Sequence, residues 1–136
     1  MPEASEIKKY IQNESHDWLG DAAENYVRYC FAREGFEVFG SGKWSTDMAV
    51  RDRMTNKWYR VEVKSTDRPH GRPVRPSVAN LLGRVDLLVE VVFLRMSESV
   101  CTSLQMKIVA IGKDGKRGVA AVVAKQGDLR EFMKKI

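Results

Sequence analysis

The 136-residue chain predicts a mixed α/β (α+β) domain in which a central mixed β-sheet is flanked by helices. Three observations lead there. An apolar stripe recurs at helical spacing through 15–34, a series of short alternating or apolar runs fills 36–124, and a second amphipathic segment closes the chain. The length suits one domain, 1–136, with one core that buries roughly two thirds of the unfolded surface. Apolar residues at 43% and charged residues at 30% are ordinary for a globular protein, and no repeat or low-complexity tract appears.

Taken in order, "EIKKYI" places Ile7, Tyr10 and Ile11 at the spacing of a short helix. In 15–34, Leu19, Ala22, Ala23, Tyr26, Val27 and Cys30 recur at three and four, with Ser15 as N-cap and Gly35 as the stop. "FEVFG" reads as a short strand. "TDMAVRD" reads as a second, Met48 and Val50 alternating with Asp47, Ala49 and Arg51. After the turn "RMTN", "WYRVEVK" predicts a third strand. Side chains alternate along it, so Tyr59, Val61 and Val63 share one face while Trp58, Arg60, Glu62 and Lys64 share the other. "STDRPHGRPVRP" holds three of the four prolines and predicts a loop, and "SVANLLGR" a short helix. "VDLLVEVVFL", "SLQMKIVAIG" and "GVAAVVAK" are three further strands, the last two joined by the turn signal "KDGKRG". For the closing helix, Asp128 and Glu131 predict a capping box and Leu129, Phe132, Met133 and Ile136 the apolar stripe.

Composition narrows the partners. The longest apolar run has ten residues and contains Asp86 and Glu90, too short and too charged for a transmembrane helix, and the N-terminus lacks the apolar stretch of a signal peptide. A cytoplasmic protein with no membrane partner is expected. Cys30 and Cys101 then read as reduced thiols, and no spacing ties them to His16 or His70 as a zinc site. The net charge of +5 is confined to one segment: 43–75 holds nine Lys or Arg against four acids. Such an excess fits either a nucleic-acid partner or a solvated charged face.

An acid, any residue and a lysine occur together three times, as Glu6-Ile7-Lys8, Glu62-Val63-Lys64 and Asp114-Gly115-Lys116. The first lies on the terminal helix and the third in a Gly-rich turn. Only the second lies on a strand that follows a hairpin whose other arm presents Asp47. Opposed β-carbons on adjacent antiparallel strands lie on the order of 5 Å apart, so Asp47 and Glu62 can share a metal ion. Phosphodiester hydrolysis uses a hard divalent cation held by carboxylates, and a neighbouring lysine can orient the attacking water and offset phosphoryl charge. Taken singly, Asp47 can equally end a turn, and Glu62 and Lys64 can be a solvated charge pair of little energetic weight.

Together with Glu24 on the long helix, the string "GDAAENYVRYCFAREGFEVFGSG…TDMAV…YRVEVKST" resembles the PD-(D/E)XK nuclease superfamily. More narrowly it is similar to the archaeal-type Holliday junction resolvases. The resemblance covers 20–66; Thr46 stands where the family usually has proline. It implies a restriction-endonuclease-like fold and a Mg²⁺-dependent DNA endonuclease, with Mn²⁺ able to substitute. Asp47 and Glu62 would hold the metal, Lys64 would sit beside the nucleophilic water, and Glu24 would support the metal through water. Ser41 is implied as a phosphate or metal-water contact, and Lys43, Arg68, Arg72 and Arg75 are read as further phosphate contacts along the DNA. The expected partner is DNA, branched or linear, with a homodimer suited to two-strand cutting. The alternative is a catalytically silent nucleic-acid-binding module on the same fold.

Overall fold

The structure, a computed structural model, describes residues 15–40, 47–67, 76–94 and 103–136. The helix expected in "EIKKYI", the side chains of Ser15 and His16, and Ser41, Lys43, Arg68, His70, Arg72, Arg75 and Cys101 lie outside the described residues.

Helix α1 (Ser15–Arg33) buries Ala23, Val27, Cys30 and Phe31 completely, with Leu19, Ala22 and Tyr26 packed at their flank. The chain leaves it through Gly35 at φ 89°, a left-handed conformation that glycine adopts without a Cβ penalty, and Gly35 N donates to Ala32 O. Strands β1 (Phe36–Gly40), β2 (Met48–Asp52) and β3 (Trp58–Thr66) form an antiparallel meander. β3 continues two residues into the segment expected as loop, because Ser65 and Thr66 pair with Val91 and Val92 of β4 (Leu87–Leu94). β3 and β4 are parallel, a geometry that no tight turn can join, and the connection carries α2 (Val78–Leu81) with Ser77 as its N-cap. β5 (Ser103–Ile111) and β6 (Arg117–Val123) complete a six-stranded mixed sheet in sequential order, and α3 (Asp128–Met133) follows. Among the described residues no helix is long and apolar enough to cross a membrane.

The expected single core is two apolar clusters on opposite faces of this sheet. The larger joins α1 and α3 to Met48, Val50, Val61, Leu87, Val89, Met106 and Ile108; the smaller gathers Leu81, Val85, Leu88, Val109 and Ile111 under α2. Covering both faces explains why β4 reads as an apolar run, interrupted only by Glu90, rather than an alternation. Each fully buried Val, Leu or Ile contributes roughly 1.5–3 kcal/mol of transfer free energy.

Two expectations about α3 are corrected. The capping box does not form: the chain enters through Gly127 at φ 100°, and the Asp128 carboxylate instead accepts from the Ala124 and Lys125 N–H groups, each at 2.9 Å. Glu131 pairs with Lys134 at 3.1 Å. Ile136 lies past the last helical residue and is exposed, so the stripe ends with Leu129, Phe132 and Met133. A buried ion pair docks this helix. Arg130 donates to Asp52 Oδ2 at 2.7 Å and to the Glu34 carbonyl, with its guanidinium 4.4 Å above the centroid of the Phe36 ring.

Gly115 connects the β5–β6 turn to α2. It holds φ 80°, and a Cβ there would lie 2.7 Å from the Val78 carbonyl oxygen. Gly115→Ala is expected to lower stability by about 2 kcal/mol or more, from left-handed strain plus displacement of α2. A urea midpoint equal to wild type would refute that packing.

Candidate active site

The β2–β3 register determines where the acidic residues meet. Met48 pairs with Val61, so one further step sets Asp47 opposite Glu62 on the same side of the sheet. β2 starts only at Met48, and the Val63 N–H on β3 is satisfied by the Asp47 carboxylate, Oδ2 accepting at 2.7 Å. Asp47 is thereby fixed against the strand that carries Glu62 and Lys64. Lys64 Nζ lies 3.5 Å from Glu62 Oε1, with the glutamate side chain 17% exposed and the lysine 38%.

Glu24 reaches the same place from α1. It lies on the flank of the stripe that buries Ala23 and Val27, on the helix that packs on β3, close enough to Asp47 for the two carboxyls to interact. Burial pushes its carboxyl up to about 7, the Asp47 charge and the shared hydrogen bond add to the rise, and Arg28 opposes it. Glu62 is also raised, first by burial and then by Asp47, against the opposing charge of Lys64. Asp47 thus stands between two glutamates. Carboxyls from α1 and β3 each meet the one at the start of β2, and both glutamates hold their protons more tightly for it.

Among the described residues no group of three or more His, Cys, Asp or Glu side chains is arranged to hold a metal ion. The side chains that meet at Asp47 are nevertheless carboxyls, the donor type a hard cation prefers. Carboxyls such as Glu24 and Glu62, whose proton affinity is raised first by burial and then by the Asp47 charge, are the ligands a hard divalent cation takes, with the cation displacing the protons.

Comparison with protein-family models, curated proteins and solved structures finds no match to this chain. The reading of the site therefore rests on its residues.

Much of the positive charge in 43–75 is internally paired. Arg51 and Arg53 meet Glu37 at 3.0 and 3.5 Å, and Arg60 meets Asp86 at 3.1 Å. Lys57 is exposed and has no ion pair among the described residues.

The sequence reading missed Glu90. It is buried on β4, in register with Lys64 and Lys107 on either side, and ion-paired to Arg117. Its signal was available, since an acid within an apolar run covered on both faces needs a cationic partner. Asp52, one of the four acids within the basic segment, is likewise buried.

Proposed function

We propose that the chain is a Mg²⁺-dependent DNA endonuclease of the PD-(D/E)XK type, with a restriction-endonuclease-like fold and a resolvase-like choice of branched DNA. The observation that carries this reading is the placement of Asp47 beside Glu62 across the β2–β3 register, fixed by the Val63 N–H at 2.7 Å, with Lys64 3.5 Å from Glu62 and Glu24 of α1 acting on Asp47 from the other side. Asp47 and Glu62 would hold the metal, and Glu24 would reach it through water. Bound there, Mg²⁺ or Mn²⁺ supplies charge neutralisation at the phosphate and activation of water.

The chain's own groups do the rest. Val63 N–H holds the Asp47 carboxylate in place, so that side chain keeps little freedom to lose on binding. Lys64, partly exposed beside Glu62, orients the attacking water by hydrogen bonding and sets its ammonium against the negative charge that grows on the phosphoryl oxygens. Glu24, its carboxyl raised to about 7 by burial and the Asp47 charge without a cation, would give up its proton when the metal binds. For two-strand cutting we place a second copy against β6, whose outer edge is unpaired among the described residues and whose segment 118–123 bears no charge.

The test is cutting itself. Supercoiled plasmid should be nicked with Mg²⁺ or Mn²⁺ and left intact in EDTA, and a four-way junction should be cut faster than linear duplex of the same sequence. Salt-sensitive DNA binding without cutting in either metal would replace the enzyme with a binding module on the same fold.

A further inference from the structure

The sheet face turned away from α1 carries more than Glu62 and Lys64. Phe39 of β1 pairs with Ala49 of β2, which pairs with Arg60 of β3, while Trp58 pairs with Arg51. All of these therefore project to the side that bears Glu62. A cavity of about 370 Å³ opens there, lined by Ala49, Trp58, Tyr59, Arg60 and Asp86.

We propose that this cavity binds one unpaired nucleobase of the DNA strand whose phosphate lies at Glu62 and Lys64, the base stacking on the Trp58 indole. The placement beside a scissile phosphate rests on the nuclease reading above; the pocket itself rests on its own residues.

Trp58 is 52% exposed, and Phe39 supports it with ring centroids 5.1 Å apart. Two aromatic rings in contact on the same face of β1 and β3 leave a joint apolar surface in water beside the cavity. Ala49, opposite Arg60, leaves the floor low. Arg60 is held at three points: its Nε and Nη2 donate to Asp86 Oδ2 and Oδ1, each at 3.1 Å, and Nη1 donates to the Gly83 carbonyl. That fork holds the guanidinium flat and balances its charge. The cavity thus offers planar surfaces and hydrogen-bonding edges, which suit a heterocycle better than a phosphate. The volume lies at the low end of the roughly 300–1,000 Å³ range of small-molecule pockets, the size for one ring system rather than a longer ligand.

The surroundings favour a nucleotide over an apolar peptide side chain. Lys57 and Arg53 are exposed in the hairpin beside Trp58, where a sugar-phosphate backbone would run once its base entered the cavity. Distance agrees as well. Trp58 and Glu62 are four residues apart on one strand, or about 13 Å at ~3.3 Å per residue, within one or two nucleotides of the carboxylates.

The test uses the full chain in EDTA and two fluorescently labelled twelve-nucleotide probes, oligodeoxythymidylate and an abasic strand with the same phosphates, followed by anisotropy. Wild type should bind the base-bearing probe several-fold more tightly. Trp58→Ala should weaken that binding by roughly tenfold, within the range for losing one base–aromatic stack, while the abasic probe is unaffected and Trp58→Phe retains most of the preference. Equal wild-type affinity for the two probes overturns the pocket, and so does a Trp58→Ala protein that still prefers bases. Plasmid nicking with Mg²⁺, measured on the same preparation, separates the two readings. Base preference without nicking supports the pocket and removes the nuclease, whereas nicking without base preference removes the pocket alone.

Discussion

Replacing Lys64 with alanine is expected to lower Mg²⁺-dependent DNA cutting by about 10²-fold or more, the usual effect of losing a group that positions or exchanges a proton with the nucleophile. The fold should survive. Lys64 is partly exposed and its contact with Glu62 is 3.5 Å long, the kind of ion pair that contributes ~1 kcal/mol or less. Asp47 needs a more careful substitution. Its carboxylate also accepts the Val63 N–H, so Asp47→Ala strands a backbone donor at a cost of about 1–3 kcal/mol as well as removing a metal ligand. Asp47→Asn retains an acceptor oxygen and should lose cutting with only a small change in stability. Near-wild-type nicking rates for both Lys64→Ala and Asp47→Asn, in protein with an unchanged melting temperature, would end the proposed chemistry.

The largest effect on stability is expected far from that site. Asp52 and Arg130 form an ion pair in which the aspartate side chain is 5% exposed, and the same arginine bonds the end of α1 and covers Phe36. Arg130→Met removes the cation and leaves a buried carboxylate, which costs about 3–5 kcal/mol, a large share of the ~5–15 kcal/mol that holds a domain together. Asp52→Asn keeps the shape and isolates the charge. Burial alone would raise the Asp52 carboxyl, but the Met54 N–H, Arg130 and the Thr55 hydroxyl outweigh it and hold the group below the ordinary 3.8. A depressed folded-state value means that the stabilisation is complete above 3.8 and disappears as the pH falls from there through the folded-state value. Urea midpoints of wild type and Asp52→Asn should therefore differ most near neutral pH and converge in acid. A gap independent of pH would show that the charge of Asp52 is not what stabilises the docking of α3.

Periodicity made most of the secondary structure legible. The stripe from Leu19 to Cys30, the alternation of Tyr59, Val61 and Val63, and Gly35 as a stop all depend on side-chain spacing along a few turns or a single strand. The capping box failed because Asp128 and Glu131 compete with a left-handed Gly127 and with the backbone of the preceding turn, and local pattern does not rank those competitors. Glu90 and Asp52 were visible as charges, yet their partners Arg117 and Arg130 lie 27 and 78 residues further along the chain. No spacing rule covers such separations.

For the candidate site the division is the same. Sequence alone singled out Glu24, Asp47, Glu62 and Lys64 as candidates and determined which strand face Glu62 and Lys64 share, because a strand alternates with period two whatever surrounds it. Only the tertiary structure decided that Glu24 reaches Asp47, that Glu90 stands in register with Lys64, and that Trp58, Arg60 and Asp86 enclose a cavity on the same face. Those contacts join segments up to about thirty residues apart. They exist because burying two faces of one sheet selects a single strand order and helix placement, a choice made by the summed packing of the whole chain rather than by any stretch of it.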